Sequence, residues 1–375
     1  MSDFTIGLKS TIKDVARESG VSIATVTRVL QSSPLVRPQT KQRVEAAIDR
    51  LGYRPNLAAR ALVMRETKTL GLLIPTSADP YWGEVATGAE TRARRDGYSV
   101  LLGHTERDHK LELDLFELFM SKRIEGLIVG GASQHSYTWL REAQKETRIA
   151  LIGWDATTKA SDLISATGNK WPNGALVEDP DTLLNQPEDQ CTPEVEGPVF
   201  IADDCIAAAE MVSYLLRLGH KKIVFMGGRL LMPSLRMLRG IRSVLEVEKA
   251  WPCKVWHSPE TFDAGRKAAI ALLGSRNPPT ALFAYNDVLA IGAMRGAREL
   301  GLRVPDDVSV VGFDDIEAAA FVEPPLTTVR TPKYEFGVLA VEALLATISG
   351  SKSGNDQPRT ELVLRASSRA PGLQP

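Results

Sequence analysis

Hydroxyl-bearing side chains and two arginines stand close together in the stretch TIKDVARESGVSIATVTRVL (residues 11–30). Thr11 with Asp14 three residues later is a helix-capping signal, because the two groups can satisfy free amides of a first turn. Gly20 favours a break after one short helix, and Ser22 can cap a second helix. Hydroxyl and guanidinium groups contact phosphate oxygens and base edges. The spacing therefore predicts a helix-turn-helix whose second helix enters the major groove of DNA.

The outward turn of the predicted second helix supports the same interpretation. It carries Ile23, Ala24 and Thr25, with Thr27 and Arg28 one turn later. Small and hydroxyl-bearing residues let the backbone approach a groove closely, while the arginine reaches a base. An ordinary helical hairpin with solvated charges is the alternative interpretation of this stretch.

The segment that follows fits a third helix of such a domain. Pro38 suits a first helical turn, and Gly52 suits a helix end. Between them, apolar residues recur at helical spacing: Val44, Ala47, Ile48 and Leu51.

Charge is unevenly divided along the chain. Residues 1–65 hold eleven Lys and Arg against five Asp and Glu, a net charge of +6. The whole chain carries −1, so the remaining residues carry −7. A basic head on an acidic body is expected of a phosphate-binding domain joined to a small-molecule module.

Composition sets the broad class of the protein. With 375 residues and 43% hydrophobic content, the chain should form two or three domains. No apolar run approaches the roughly 20 residues of a membrane span, and the N-terminus lacks a secretory apolar core, so we expect a cytoplasmic protein. Cys191, Cys205 and Cys253 form no C-x-x-C pair. This pattern indicates neither a disulfide framework nor a zinc cluster, and we expect no metal or cofactor.

Residues 55–67 are the expected hinge between head and body. Asn56 can cap a helix of less than two turns, which is too short to be stable alone in water. One interpretation is a disordered linker. The other is a hinge that becomes helical when two copies pair on DNA, with Leu62 wedged between base steps in the minor groove and Arg60 near phosphate.

From Leu70 onward, short aliphatic runs alternate with amphipathic helical patterns. Eight runs are strand-like: Leu70–Ile74, Val100–Leu102, Gly126–Val129, Ile149–Ile152, Val199–Ile201, Lys222–Met226, Ala281–Ala284 and Val308–Gly312. Aliphatic strands separated by helices predict parallel sheets covered on both faces. So many strands favour two doubly wound lobes of the α/β class. Ligands bind such folds outside the carboxyl ends of the strands.

The residues directly after these strands are aromatic, acidic or amide-bearing. They are Asp79, Tyr81 and Trp82, then Trp154 and Asp155, then Tyr285, Asn286 and Asp287, and finally Phe313, Asp314 and Asp315. Carboxylates accept hydrogen bonds from hydroxyls, and aromatic rings cover C–H faces, so this set suits a polyhydroxylated ligand. For each carboxylate alone, capping a loop or a helix is the commoner role.

Together these segments resemble the LacI/GalR family of bacterial transcriptional repressors. The resemblance rests on IKDVARESGVSIATVTRVL, YRPNLAARAL, GLRVPDDVSVVGFDD, PPLTTVR and the final LVLRASS, in the family's order along nearly the whole chain. It implies a homodimer that binds a near-palindromic operator in double-stranded DNA. It also implies a periplasmic-binding-protein-like effector domain whose two lobes are joined by three crossovers.

The resemblance also implies site residues. Bases would be read by Ile23, Ala24 and Arg28, phosphates would be held by Thr11, Ser22, Thr25, Thr27, Gln31, Thr40, Tyr53 and Asn56, and the hinge would contact DNA through Ala59 and Leu62. In the effector cleft the matching positions are Asp79, Tyr81, Trp82, Asp155, Asn286, Asp314 and Thr331.

One departure from the family pattern concerns an arginine. The family places an effector-binding arginine three residues before the glycine that Gly240 matches, yet Met237 stands there. We expect Arg236 to take its place.

A second departure is an insertion at about residues 157–196, which is polar, acidic and rich in Pro, Asn and Gly. We expect either a solvated excursion or a lid over the cleft, with Trp171 or Leu176 on the ligand. The remaining domain organisation is expected as follows: head 1–54, hinge 55–67, body 68–375, with lobe 1 at 68–156 and 332–349 and lobe 2 at 197–331 and 350–375.

The expected function is a DNA-binding repressor whose operator affinity is controlled by a small polar effector. A sugar or sugar derivative is favoured as effector, and a purine or another polar metabolite stays open. An α/β enzyme with a DNA-binding appendage is the competing class. The chain lacks a Gly-x-Ser-x-Gly elbow, a His-Glu-x-x-His motif, a phosphate loop and a dinucleotide fingerprint, so we expect no enzyme. The final residues form no leucine heptad, which favours a dimer over a tetramer.

Overall fold

The computed structural model of the chain describes residues 10–30, 33–53, 66–131, 136–153, 175–177, 180–184, 197–228, 232–250, 253–351 and 357–372. The chain divides into two units, Met1–Thr67 and Lys68–Pro375, which we call the head and the body.

Three helices form the described part of the head: α1 (Ile12–Ser19), α2 (Ile23–Leu30) and α3 (Pro38–Leu51). Their apolar faces meet in a small core of Val15, Ala16, Val26, Val29, Val44 and Ala47. Burial of this shared face is what stabilises α1 and α2, because helices of eight residues are marginal alone.

The helix ends lie where the sequence predicts them. The Asp14 carboxylate accepts hydrogen bonds from the Thr11 amide at 2.9 Å and from the Thr11 hydroxyl at 2.7 Å. Ser22 Oγ accepts from the Thr25 amide at 3.2 Å, which caps α2. Gly20 ends α1 with φ = 66°, a left-handed conformation that glycine adopts without a Cβ clash.

The body contains twelve described strands in three sheets. They are β1 (Thr69–Ile74), β2 (Ser99–His104), β3 (Gly126–Gly130), β4 (Arg148–Ile152), β5 (Ala175–Val177), β6 (Val199–Phe200), β7 (Ile223–Met226), β8 (Lys254–His257), β9 (Ala281–Ala284), β10 (Ser309–Val311), β11 (Thr328–Arg330) and β12 (Glu361–Val363). Lobe 1 contains the parallel sheet β2-β1-β3-β4-β6, and lobe 2 contains β10-β9-β7-β8-β5. β11 and β12 form an antiparallel ribbon.

Helices cover the sheets. They are α4 (Pro80–Arg95), α5 (His109–Ser121), α6 (Ser136–Ala143), α7 (Asp181–Leu184), α8 (Asp204–Arg217), α9 (Met232–Val247), α10 (Phe262–Leu273), α11 (Asp287–Glu299), α12 (Glu317–Phe321) and α13 (Lys333–Ser349). Among the described helices, none is long and apolar enough to cross a membrane.

All eight predicted strands are present, with shifts of one or two residues at their ends. β5, β8 and β11 were not predicted, and β12 begins one residue before the final LVLRASS segment that carries the family resemblance. β8 (KVWH) contains a lysine, a histidine and one aliphatic residue, so it lacks the aliphatic run by which the other strands were predicted. β5 lies inside the polar insertion, where composition indicates a loop.

The boundary between the lobes needs one correction. The sequence expectation placed residues from 197 onward in lobe 2, but β6 pairs in parallel with β4 and so belongs to the lobe 1 sheet. The chain enters lobe 2 after β6, returns to lobe 1 with α13, and enters lobe 2 again before β12, as the family resemblance implies. The insertion adds two further crossings, because β5 pairs with β8 of lobe 2 before the chain returns to lobe 1 at β6.

The insertion adds a strand to lobe 2. β5 pairs antiparallel with β8, with Leu176 opposite Trp256, and Val177 is fully buried in the lobe 2 core. Leu176 is therefore a residue of an edge strand, and this part of the insertion fits neither of the two alternatives, a solvated excursion or a lid. Trp171 lies outside the described residues.

Glycines allow the covering helices to approach one another closely. A Cβ added at Gly88 of α4 would lie 2.1 Å from the carbonyl oxygen of Tyr334 in α13. By contrast, a Cβ at Gly83 in the same helix would lie 3.7 Å from the nearest atom, the Ser77 carbonyl oxygen.

The two glycines predict opposite effects of the same substitution. Gly88→Ala should lower the free energy of unfolding by about 1–3 kcal/mol, because α13 must move away. Gly83→Ala should raise it by up to about 1 kcal/mol through helix propensity. Urea denaturation of both variants measures the difference, and equal effects would contradict this packing.

Candidate DNA-binding head and effector cleft

The first turn of α2 is open at the surface of the head. Ile23 is 43% exposed, and Ala24 and Arg28 are exposed beside it. The opposite face of α2 is buried through Val26 and Val29. The arrangement leaves the three predicted base-reading side chains accessible to a partner.

The predicted phosphate ligands of α1 and α2 make hydrogen bonds within the head. The Thr11 hydroxyl donates to Asp14, and the Thr27 hydroxyl donates to the Ile23 carbonyl oxygen at 2.9 Å. The hydroxyls of Ser22 and Thr25 lie 2.9 Å apart. A hydroxyl carries one proton. One of the paired hydroxyls therefore retains a proton for phosphate, whereas Thr11 and Thr27 must give up their internal acceptors.

The other predicted DNA contacts divide into two groups. Thr40 and Tyr53 are half-buried, and the Tyr53 side chain packs against the head core. Gln31, Asn56, Ala59 and Leu62 lie outside the described residues.

In the body, Asp79 in the loop after β1 caps a helix. Asp79 accepts a hydrogen bond from the Tyr81 amide at 3.0 Å and so caps α4. Burial raises the pKa of the Asp79 carboxyl, and the Tyr81 amide and Arg107 oppose the rise. Only the first of its oxygens is used in capping, so the second can face a ligand.

The two aromatics of this loop have different environments. Their rings stand edge to face with centroids 4.9 Å apart. Trp82 is only 6% exposed and packs in the lobe 1 core, where it fills the space above Gly130 and Gly131. Trp82 therefore supports the cleft wall, and little of its ring is exposed. Tyr81 is half-buried, and its pKa is raised well above the usual value by burial, then by Asp314 and Asp204 of lobe 2.

Asp314 lies on the loop after β10, opposite Tyr81. Its φ is 103°, an unusual conformation for a residue with a side chain. Its pKa is raised well above the usual value by burial, then by Asp287 and Asp79. Among the described residues, none donates a hydrogen bond to its carboxylate. This carboxylate is therefore available to a ligand.

Lys333 holds this loop. Its ammonium, on a side chain only 3% exposed, donates to the carbonyl oxygens of Asp314 at 2.5 Å and Asp315 at 3.2 Å. Glu84 Oε1 lies 3.6 Å from the same Nζ. Thr331 is buried, with its hydroxyl 3.5 Å from the Asp314 carbonyl oxygen, so it lies against the same loop.

Asn286 and Asp287 begin α11. Asn286 is buried and accepts from the Leu289 amide at 3.0 Å. Asp287 is fully buried and accepts from the Thr328 hydroxyl at 2.5 Å and the Ile316 amide at 2.9 Å. Burial raises the pKa of Asp287 to about 7. Asp287 thus ties α11, the Asp314 loop and β11 together.

Arg236 makes an ion pair instead of standing open in the cleft. Its Nη2 donates to Asp204 Oδ2 at 2.5 Å, and both side chains are nearly buried. Met237 is 1% exposed and belongs to the lobe 2 core. Any effector contact of Arg236 is therefore shared with Asp204. Asp155 lies outside the described residues.

Several cleft residues were missed from sequence. Arg107 follows β2 and Asp204 follows β6, so the strand-end rule that found Asp79 could have found them. Ser258 and Glu260 follow β8, which was not predicted. The Ser258 hydroxyl is buried and, among the described residues, has no hydrogen-bond partner. Lys333 has no strand-end signal.

Comparison with known proteins decides the family. Residues 11–56 match the family described as bacterial regulatory proteins, lacI family, and residues 212–368 match the periplasmic binding protein-like domain. The HTH-type transcriptional repressor CytR of Escherichia coli (strain K12) is 32% identical, over 96% of this chain and 97% of that protein. The chain belongs to the LacI family.

Further relatives agree. Catabolite control protein A of Priestia megaterium is 31% identical over 89% of this chain and 91% of its own. The Lac repressor dimer bound to operator and the anti-inducer ONPF aligns with a TM-score of 0.80 at 25% identity, over 97% of this chain and all of that one. The predicted family and fold are confirmed, and the chain is a transcriptional regulator, not an enzyme.

The exposed Arg28 gives a testable prediction. Arg28→Ala should cost about 1–3 kcal/mol in affinity for a preferred site, because a bidentate contact to a base is lost. Arg17→Ala, which removes an exposed charge from α1, is the matched control and should preserve sequence choice. Gel shifts on selected and scrambled DNA at fixed salt measure both. If Arg28→Ala leaves the ratio of affinities for selected and scrambled DNA unchanged, Arg28 does not read a base.

The buried Asp287 predicts a pH dependence of stability. Its folded pKa of about 7 exceeds the ordinary value of 3.8, so the folded chain holds more protons between these pH values. Its contribution to the free energy of unfolding therefore falls as pH rises from about 4 to about 7 and is constant above.

Urea denaturation across this pH range tests the point. The free energy of unfolding of the unsubstituted chain minus that of Asp287→Asn should fall as pH rises from 4 to 7. The control Asp263→Asn should show no such fall, because Lys267 lowers the pKa of that exposed carboxyl. If the difference in free energy of unfolding between the unsubstituted chain and Asp287→Asn does not change with pH, the prediction is contradicted.

Proposed function

We propose that this LacI-family regulator is a homodimeric repressor that reads an operator through α2 and releases or retains it according to a sugar-like effector in the body. The observation that carries the proposal is that the chain combines an outward α2 surface with a cleft at the carboxyl ends of the parallel strands of two sheets. A protein of this kind acts in the cytoplasm, with the DNA.

The DNA-binding part of the proposal rests on the exposed side chains of α2 and on the positive charge of the head. Ile23, Ala24 and Arg28 are accessible together, and the head is basic while the body is acidic. Electrostatic attraction to phosphates would supply affinity for any sequence, and the α2 contacts would supply choice among sequences. Leu62 in the hinge is the proposed wedge.

The effector half rests on the groups that converge at the cleft. Asp79 and Tyr81 come from lobe 1, and Tyr285, Asn286 and Asp314 come from lobe 2. Carboxylate and amide oxygens accept hydrogen bonds from ligand hydroxyls, while tyrosine rings cover C–H faces. This chemistry favours a sugar or sugar derivative.

The proposal of a homodimer rests on a dimeric structural relative and on one exposed aromatic side chain. The structural relative named above is described as a dimer bound to operator. In this chain Phe321, at the end of α12, is 81% exposed. A large aromatic side chain that is open in the isolated chain is suited to an interface between two copies.

An effector screen tests the proposal on the full chain. A sugar that binds at a hundredfold excess over its dissociation constant should raise stability by about 2.7 kcal/mol. The same sugar should change affinity for DNA selected from a random-sequence pool. Asp314→Asn should lose the response to sugar while retaining DNA binding, because Asp314 is remote in sequence from the head.

Two outcomes would contradict the proposal. One is a chain that selects no DNA sequence at any salt, with or without metabolites. The other is a sugar that binds the body without changing DNA affinity.

A further inference from the structure

The turn between α2 and α3 carries an exposed leucine. Leu35 is 86% exposed, more than any other large apolar side chain of the described residues, whereas the adjacent Val36 packs against the core of the head. A single exposed leucine is common at protein surfaces and needs no special explanation. Whether Leu35 has a role is therefore decided by how it is held and by what surrounds it.

Hydrogen bonds hold the backbone of this turn. The Ser33 amide donates to the Arg28 carbonyl oxygen at 3.0 Å. The Val36 amide donates to the Ser33 carbonyl oxygen at 3.3 Å, and the Leu35 amide donates to Ser33 Oγ at 3.4 Å. The first of these bonds joins the turn to the last part of α2, where Arg28 is exposed. Leu35 is therefore held close to the C-terminal end of the helix that is predicted to enter the major groove.

The chain on both sides of the turn is basic. From residue 19 to residue 44 the sequence contains four Lys and Arg and neither Asp nor Glu. One of the four, Lys41, lies 3.8 Å from a glutamate oxygen. The exposed side chains of Arg28, Arg37 and Arg43 make no ion pair in the part of the head that the structure describes. Unpaired guanidinium groups attract a polyanion, so this part of the head suits a partner that carries phosphates.

The leucine also lies between two positions that the family resemblance assigns to DNA. Arg28 precedes it in the chain as a predicted base reader, and Thr40 follows it in α3 as a predicted phosphate ligand. Ile23 is the other exposed large apolar side chain in the described part of the head, and it too is a predicted base reader. Both exposed apolar side chains therefore belong to segments that are predicted to face DNA.

Double-stranded DNA offers both phosphates and an apolar group. The phosphates line the grooves, and thymine presents a methyl group in the major groove. An anionic membrane also combines the two, but membrane binding takes a whole apolar helix face. A stable protein interface buries about 800 Å² on each partner, which is far more than one side chain supplies. A single leucine among cations therefore fits a thymine methyl group best.

Resting on the DNA-binding head proposed above, we propose that Leu35 is a specificity-determining residue. Its side chain packs against the C5-methyl group of a thymine in the major groove, beside the bases that α2 contacts. Leu35 thus selects thymine by apolar contact, whereas Arg28 selects its base by hydrogen bonds.

Removal of single methyl groups tests this contact. The full chain first selects a binding site from a random-sequence pool of duplex DNA. Each thymine of that site is then replaced in turn by deoxyuridine, which pairs in the same way and lacks only the C5-methyl group. Gel shifts at fixed salt give the dissociation constants. At one or more thymines the replacement should weaken binding about fourfold, as expected for one methyl group that is buried on binding.

Two variants assign the effect to Leu35. In Leu35→Ala the same deoxyuridine replacement should change affinity by less than about twofold, because the alanine side chain is too short to cover the methyl group. Leu35→Met keeps an apolar side chain of similar volume and should retain the sensitivity. Because Leu35 is exposed, both variants should melt within about 2 °C of the unsubstituted chain.

Two controls separate the methyl contact from charge and from exposed apolar surface in general. Arg37→Ala should lower the slope of log affinity against log salt by about one, while the methyl sensitivity stays. Val247→Ala removes a side chain of the body that is 78% exposed, and it should change neither quantity.

Four results would overturn the proposal. The first is a selected site at which no thymine is sensitive to loss of its methyl group, and the second is an unchanged sensitivity in Leu35→Ala. The third is a loss of affinity in Leu35→Ala that is equal for selected and scrambled DNA. The fourth is a loss in Leu35→Ala of binding to phosphatidylglycerol vesicles, or of self-association in sedimentation, without a loss of methyl sensitivity.

This proposal and the proposed function fail in different ways. If a sugar changes affinity for the selected site but Leu35→Ala keeps the methyl sensitivity, the regulator stands and the role of Leu35 fails. If Leu35→Ala loses the methyl sensitivity but no sugar changes DNA affinity, the role of Leu35 stands and control by a sugar fails.

Discussion

The contact of Lys333 with the Asp314 loop is the interaction on which the cleft depends. Lys333 begins α13, which packs on α4 of lobe 1, whereas its acceptors lie after β10 of lobe 2. A buried ammonium is costly unless it is hydrogen-bonded. The carbonyl oxygens of Asp314 and Asp315 satisfy it, and in return the loop is held at positive φ. The contact therefore joins the lobes at the loop that carries the Asp314 carboxylate.

The same loop is fixed from its other side by charge. The Asp315 carboxylate accepts from Arg330 at 2.8 Å and from Arg365 at 2.6 Å, while Asp287 holds the Ile316 amide. Of these three neighbouring carboxylates, those of Asp287 and Asp315 accept hydrogen bonds from the protein, whereas that of Asp314 accepts none from the described residues. Rigid support of this kind lowers the entropy cost of binding, because the acceptor is already in place.

Sequence reasoning recovered the regular parts of this protein. The helix-turn-helix followed from Thr11, Gly20 and Ser22, because capping and helix ends are decided by local contacts. The body strands followed from aliphatic runs that are buried on both faces. Strand-end logic also located Asp79 and Asp314, because parallel strands bring their carboxyl ends to one edge.

The features that the sequence did not predict depend on contacts between distant parts of the chain. β5 is stabilised by pairing with β8, a partner about eighty residues away, so its own composition gave no signal. The packing of Trp82 depends on glycines of β3 and the following turn, which leave room for an indole. The roles of Arg236 and Lys333 depend on partners from other elements. Such long-range pairings are invisible to a local pattern.

Charge in the cleft bears on how a ligand can act on DNA binding. A ligand shifts a conformational equilibrium only by its difference in affinity between the states. Asp79 belongs to lobe 1 and Asp314 to lobe 2, and the charge of Asp79 contributes to the raised pKa of Asp314, so a donor that bonds to both carboxylates would link the two lobes. A ligand of this kind must favour the arrangement in which both carboxylates reach it. Its effect on the operator then depends on which lobe arrangement the DNA-bound dimer adopts, so tight binding alone does not decide between release and retention.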